Sequence, residues 1–213
     1  MVRLKVVQVI KKLNNTELGK GGTHDTYVLI PQNLDISDLF PVVNEQIAFI
    51  NKENGEIVNL RYTSRREKRI VGLGPYYNKY DVCAGDEIIL ERHVIRDESK
   101  YFISLKKRLN TVMLQKQKNG FEILTEDRTN LLDAVTLNAD GELLQLKYLC
   151  SEKKRQDSPE PTGFYDLLAG ERSLLGDFSG KEFVEIEVNN NIARLNRFCA
   201  WKKYKFEMED ENE

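Results

Sequence analysis

A mainly β chain, folded as a barrel or as paired sheets, is predicted by three features of this sequence. Apolar runs are short and rich in Val, Ile, Leu, Tyr and Phe. Turn-forming residues separate them at Asn54-Gly55, Asp97-Glu98-Ser99, Asn119-Gly120, Asp140-Gly141 and Asn189-Asn190-Asn191. Stretches with helical character are few and short. Many short strands with little helix bury their apolar faces best by curling or stacking.

Taken in order, strands are expected at Val2–Lys11, Thr26–Ile30, Gln46–Asn51 and Glu56–Tyr62, the last two joined across Asn54-Gly55. Glu87–Val94 and Tyr101–Lys107 follow, joined across Asp97-Glu98-Ser99. Further strands are expected at Thr111–Gln117, Gly120–Leu124, Leu132–Leu137, Leu143–Leu149, Lys181–Val188, Ile192–Phe198 and Trp201–Glu207. Short helices are expected at Asp35–Phe40, opened by an aspartate cap, and at Gly163–Leu168. In the last strand Trp201, Tyr204 and Phe206 are interleaved with lysines, a pattern expected to bury one face.

Length and charge set the domain reading. The 213 residues fit one large domain or two small ones. Lys and Arg number 18 against 14 Asp and Glu through Asn110, an excess of +4, and 14 against 20 afterwards, an excess of −6. The basic run Lys106-Lys107-Arg108 stands where the sign changes. We therefore expect one domain at 1–109 and a second β-rich domain at 110–213 that ends in an acidic tail. Ser151–Thr162, polar and with two prolines, is expected to be a loop. Contacts to phosphate, if made, belong in the basic half.

Composition narrows the function classes. With 40% apolar and 31% charged residues, the chain is expected to fold rather than stay disordered. No apolar run is long enough for a membrane helix, and no signal-peptide core opens the chain. Cys83, Cys150 and Cys199 lie far apart with no CxxC pair, so neither a disulfide framework nor a zinc module is expected. A reducing cytoplasm is the simplest location.

Two segments of the first half point to chemistry. Asn14–His24 holds three glycines among polar side chains, so its backbone can approach a ligand closely. Asn15, Thr16, Lys20, Gly21, Gly22, Thr23 and His24 are the candidate contacts there. The second segment is Ser64-Arg65-Arg66-Glu67-Lys68-Arg69, with four cations and one acid in its last five positions. Arginine forks onto guanine, lysine reaches guanine or phosphate, and glutamate accepts from the cytosine amino group. A cluster that mixes them suits base readout as well as a grip on phosphate.

The run Lys12–Pro31 resembles the opening of the DNA-binding pseudobarrel of EcoRII-like restriction endonucleases, a strand entering a Gly-rich loop with a histidine and then a strand ending in Ile-Pro. Asn59–Ile70 resembles that family's second arm, rich in Arg, Glu and Lys. Gly85-Asp-Glu-Ile-Ile-Leu-Glu91 looks like the turn before a late barrel strand. The likeness covers roughly residues 2–108. It implies a B3-like pseudobarrel whose two arms clasp the major groove of double-stranded DNA in a restriction system, with a nuclease domain or subunit as a further partner. Thr23 stands between the glycine pair and His24, where the family often has none.

An enzyme reading is weaker. A Mg²⁺ nuclease needs an acid followed by a D/E-x-K tripeptide. The nearest match is Glu126 or Asp133 with Gln145-Leu146-Lys147, which offers Gln where a carboxylate is usual. Only His24 and His93 are present, and His93 sits in an apolar strand as a structural residue would. No catalytic residue, metal ligand or cofactor is expected in this chain. The alternatives are a small Mg²⁺ nuclease in the second half, and an adaptor whose acidic half docks a partner.

Overall fold

The structure, a computed structural model, describes residues 3–19, 26–137, 141–153 and 161–209. It is mainly β with few short helices, as the sequence predicts. The first strands are β1 (Arg3–Lys12), β2 (Tyr27–Ile30), β3 (Gln46–Asn51), β4 (Ile57–Ser64) and β5 (Lys68–Val71). After helix α1 (Gly74–Lys79) come β6 (Glu87–Ile95) and β7 (Glu98–Lys106). Then follow β8 (Thr111–Gln117), β9 (Gly120–Ile123), a 3-10 segment (Glu126–Leu132), β10 (Thr136–Leu137) and β11 (Glu142–Glu152). The chain continues through β12 (Thr162–Ala169), β13 (Arg172–Ser173), β14 (Phe183–Asn189), β15 (Ile192–Arg197) and β16 (Trp201–Glu209).

The chain divides into two units, Met1–Lys107 with Cys199–Glu213, and Arg108–Phe198. The expected second domain therefore gives up its last strand. β16 pairs antiparallel with β1 over nine residues, from Lys11 opposite Trp201 to Arg3 opposite Glu209.

In the first unit the strand order is β16-β1-β6-β7-β3-β4-β5-β2, a half-barrel in which, among the described strands, only β3 and β7 run parallel. Alternation along the strands sends Phe49, Leu60, Ile70, Ile88, Leu90 and Ile103 into the core. Arg96 and Asp97 both take left-handed φ, the geometry that a two-residue hairpin between twisted strands requires. Helix α1 follows a glycine that no other residue can replace cheaply. Gly72 has φ +103, and a Cβ there would meet the Asn59 carbonyl oxygen at 2.4 Å. Pro75 lies in the first turn of α1, where its missing N–H costs nothing.

In the second unit the order β11-β10-β15-β14-β8-β9-β12 returns to β11, which closes a barrel, with β13 attached to β12. Val112, Leu114, Phe121, Leu144, Leu167 and Ile186 fill it. Asn190 and Asn191, both left-handed, close the β14–β15 hairpin.

Two expected helices are absent. Asp35–Phe40 is a single turn in which Asp35 Oδ1 accepts from the Ser37 N–H at 2.9 Å and the Ile36 carbonyl accepts from Leu39 and Phe40. Gly163–Leu168 is strand β12, whose neighbours β11 and β9 take up its backbone groups. Conversely, Leu132–Leu137 is mostly 3-10 turn and loop, with only Thr136–Leu137 in a ladder. Nor does the last strand bury its aromatic face: Tyr204 and Phe206 are 46% and 39% exposed. Among the described residues no helix is long and apolar enough to cross a membrane.

Asp38 ties the turn after β2 to β16. It faces Lys203 at 3.0 Å and Lys205 at 2.5 Å, and Lys203 also donates to the Asp35 carbonyl at 2.6 Å. The Lys205 bond, joined by Lys203, outweighs burial and pulls the Asp38 carboxyl down to about 2. A carboxyl lowered on folding stabilises the fold above its unfolded value, and that contribution is lost as pH falls through the folded value. Asp38→Asn is therefore expected to be less stable than the natural chain by about 1 kcal/mol at neutral pH, because solvent screens the exposed Lys205 partner. The gap should close as pH drops from about 4 toward 2. Urea unfolding of both proteins across that range checks it, and a gap independent of pH would refute the assignment.

Candidate nucleic-acid interface

The hairpin of β4 and β5 sorts the basic run onto two faces. Its register sets Arg61 opposite Val71, Tyr62 opposite Ile70, Thr63 opposite Arg69 and Ser64 opposite Lys68. Leu60, Tyr62 and Ile70 point into the core, so Arg61, Thr63, Arg69 and Val71 share the outer face. Thr63 Oγ1 donates to the Arg69 carbonyl at 3.4 Å, and the Arg65 N–H donates to the Glu67 carbonyl at 3.3 Å across the turn.

Strand β2 extends this face. Tyr27 lies opposite Val71 and Leu29 opposite Arg69. The Arg69 guanidinium carbon stands 4.0 Å from the centre of the Tyr27 ring. Glu67 Oε2 accepts from Arg69 Nε at 2.9 Å and from Nη2 at 2.5 Å. Arg69 is thus stacked on an aromatic face and held by a carboxylate, two contacts that suit a planar guanidinium and not an ammonium. Asn44, Arg61, Thr63, Arg65, Arg66 and Glu67, with Arg69 and Val71, line a depression of about 840 Å³.

Within the basic run the roles differ. Arg65 and Arg66 are exposed, and no side-chain partner is seen for either among the described residues. Lys68 has the core-side parity and reaches over the rim, donating to the Gln32 carbonyl at 3.1 Å. Ser64 ends β4 at the turn.

The first candidate segment is only partly described. Lys20, Gly21, Gly22, Thr23 and His24 lie outside the described residues. Asn15 and Thr16 sit on one tight turn, closed by Leu18 N–H to the Asn14 carbonyl at 3.2 Å and by left-handed Gly19 at φ 77. Asn14 Oδ1 accepts from Glu17 N–H at 3.1 Å while Glu17 Oε2 accepts from Asn14 N–H at 3.3 Å, a reciprocal capping pair.

Glu17 is buried and does more than cap. Its carboxylate meets Lys11 Nζ at 2.9 Å, with the two side chains 5% and 4% exposed. Its Oε1 accepts from the Leu29 N–H of β2 at 3.3 Å. Burial raises the Glu17 carboxyl, against the opposing pull of Lys11, and burial lowers the Lys11 ammonium, against the pull of Glu17. The base of the first segment is therefore fastened to Leu29, and Leu29 is the ladder neighbour of Arg69.

Sequence reasoning missed Tyr27, Asn44, Arg61, Thr63, Lys11 and Glu17. The two-residue alternation of Leu60 and Tyr62 with Arg61 and Thr63 was a usable signal for the outer face. No local signal marks Tyr27 or Glu17, whose partners are distant in sequence.

In the second unit one depression takes in only part of the nuclease candidates. Asp133 and Gln145 help line a depression of about 590 Å³ with Asn130 and Tyr165, but neither Glu126 nor Lys147 lines it. Lys147 is exposed on β11 opposite Asp166, which accepts from Ser173 Oγ at 2.8 Å. Among the described residues no three His, Cys, Asp or Glu side chains are grouped to hold a metal ion. His93 Nε2 lies 2.7 Å from Glu91 Oε2, and its ring packs 4.7 Å from Phe102. Compared with known proteins, the chain matches no protein-family model and no curated sequence.

Removing the Glu17 carboxylate takes a charge partner from a buried ammonium and an acceptor from the edge of β2. Glu17→Ala is expected to cost roughly 3–5 kcal/mol. Glu17→Gln, which keeps an acceptor for Leu29, should cost less. Chemical unfolding of the three proteins tests the ranking. Equal midpoints for Glu17→Ala and the natural chain would remove Glu17 from its anchoring role.

Proposed function

We propose that this chain binds double-stranded DNA sequence-specifically through the outer face of β2, β4 and β5, as the recognition unit of a restriction system working in a reducing cytoplasm. One observation carries the reading: Arg65 and Arg66 stand exposed at a hairpin tip, beside Arg61 and Arg69 on the same face. Exposed guanidinium groups on a protruding hairpin suit both phosphate and guanine edges. The resemblance of Lys12–Pro31 and Asn59–Ile70 to the two arms of the EcoRII-like pseudobarrel supports it. So does the Glu17 link, which fastens the base of the first segment beside the second. Cleavage then falls to a nuclease domain or subunit.

The roles divide by geometry. Arg65 and Arg66 contact DNA. Arg69 reads from a fixed position because Glu67 and Tyr27 hold its plane. Glu67 is the brace of Arg69 in this reading, not an acceptor for cytosine. Lys68 holds the hairpin to the segment after β2.

Selection from a randomised duplex pool, followed by affinities for selected and scrambled duplexes at several salt concentrations, tests this. Loss of a base-reading arginine is expected to cost roughly 1–3 kcal/mol on the selected duplex alone. Loss of a phosphate-gripping one should weaken both duplexes and lower the salt slope by about one unit. Glu67→Ala should raise scrambled-duplex affinity by removing a negative charge, and should narrow the selected-to-scrambled ratio by loosening Arg69. Lys68→Ala should change binding less than Arg65→Ala or Arg66→Ala. No selected motif, or an unchanged ratio and salt slope across all these variants, would overturn the proposal.

A further inference from the structure

Strand β16 is an end strand of the first unit's sheet, and among the described strands it pairs only with β1. One face of it carries Tyr204, Phe206 and Met208, which are 46%, 39% and 45% exposed. They lie opposite Gln8, Val6 and Leu4 of β1, so the apolar character continues across the ladder at Val6 and Leu4. The other face carries Lys203, Lys205 and Glu207. An end strand with this much exposed apolar surface is a template for another strand.

We infer that β16 is a self-recognition edge, on which a second copy of this chain pairs its own β16 antiparallel about a two-fold axis at Phe206. The charge order of the strand selects this occupant and this register. Lysines occupy the first half, at Lys202, Lys203 and Lys205, and Glu207 follows Phe206. Antiparallel pairing centred on Phe206 sets Lys205 of each copy opposite Glu207 of the other. It also sets Tyr204 opposite Met208 and Phe206 opposite itself. Like faces meet throughout, apolar on one side of the joined sheet and ion-paired on the other.

The competing registers fail on the same criteria. Centring on Lys205 sets Lys205 against itself, and centring on Glu207 sets two carboxylates together. A slip by one residue brings apolar positions opposite charged ones and turns one sheet over. Parallel pairing in register stacks like on like. Lys205 also meets Asp38, and Glu207 lies 3.9 Å from Lys5 and 4.0 Å from Arg3. The Lys205 and Glu207 side chains are still 63% and 54% exposed, so each has room for a second partner. The two-fold repeats each heterotypic pair, as an isologous contact requires.

Sedimentation of the full chain across the micromolar range tests the inference. The natural chain should reach twice its monomer mass. Phe206→Asp, which sets two carboxylates on the axis, should raise the dissociation constant at least about tenfold. Single-cysteine placement then tests the register. Phe206→Cys puts the new thiols opposite each other and should give a covalent dimer on mild oxidation beyond the natural chain's background. Tyr204→Cys sets them about 13 Å apart along the strands and should not. A natural chain that stays monomeric overturns the inference, whether or not the variants fold. So does a dimer insensitive to Phe206→Asp, or cross-linking by Tyr204→Cys in place of Phe206→Cys. None of these outcomes depends on DNA binding.

Discussion

The half-barrel of the first unit depends on one buried carboxylate. In strand order, β1 is next to one end and β2 is the other end, and among the described residues no backbone ladder joins them. Glu17 makes the connection instead, with one side of its carboxylate on Lys11 of β1 and the other on the Leu29 N–H of β2. An edge N–H that is kept from water needs an acceptor, and a buried carboxylate needs a cation. Each need is met by the other's neighbour. A buried ion pair is a poor source of net stability but specifies geometry well when every member is bonded. Here the geometry specified is the position of β2.

That position matters because β2 carries Tyr27, the ring on which Arg69 of the basic face rests. Tyr27 supports the Arg69 plane from one side, and Glu67 grips it edge-on. Arg69 is the ladder neighbour of Leu29, whose N–H Glu17 holds. The chain from Lys11 through Glu17, Leu29 and Arg69 to Glu67 is thus a continuous set of contacts from core to rim. It contrasts with Arg65 and Arg66, which project from the turn with no such support among the described residues. A guanidinium already held in place loses little freedom when it bonds a further group, whereas one without such contacts loses more.

Much of the fold was legible because much of it is local. The Asn190-Asn191 turn lies where its residues predict it, whereas the Arg96-Asp97 turn shares only Asp97 with the expected Asp97-Glu98-Ser99, and Glu98 and Ser99 open β7. The basic run at Arg65–Arg69 was visible as a cluster, but its division of labour was not. Whether Lys68 or Arg69 joins the outer face depends on the exact end of β4 and the start of β5. A shift of one residue would exchange their roles. The sequence offered Glu67 as an acceptor for cytosine, and only the hairpin shows it bonded to Arg69.

By itself the sequence determined the β class, the hairpin turns, the charge asymmetry between the halves and the place of the arginine cluster. Each of these is set by residue sterics or by composition within a few positions. Only the tertiary structure decided that Gly163–Leu168 is a barrel strand, since its hydrogen-bond partners come from β11 and β9. Only it decided that Trp201–Glu209 returns to β1, nearly the whole chain away, and leaves Tyr204, Phe206 and Met208 uncovered. Strand pairing joins residues of any separation, so no local window contains the partner. The face a strand buries is decided by the partner it finds.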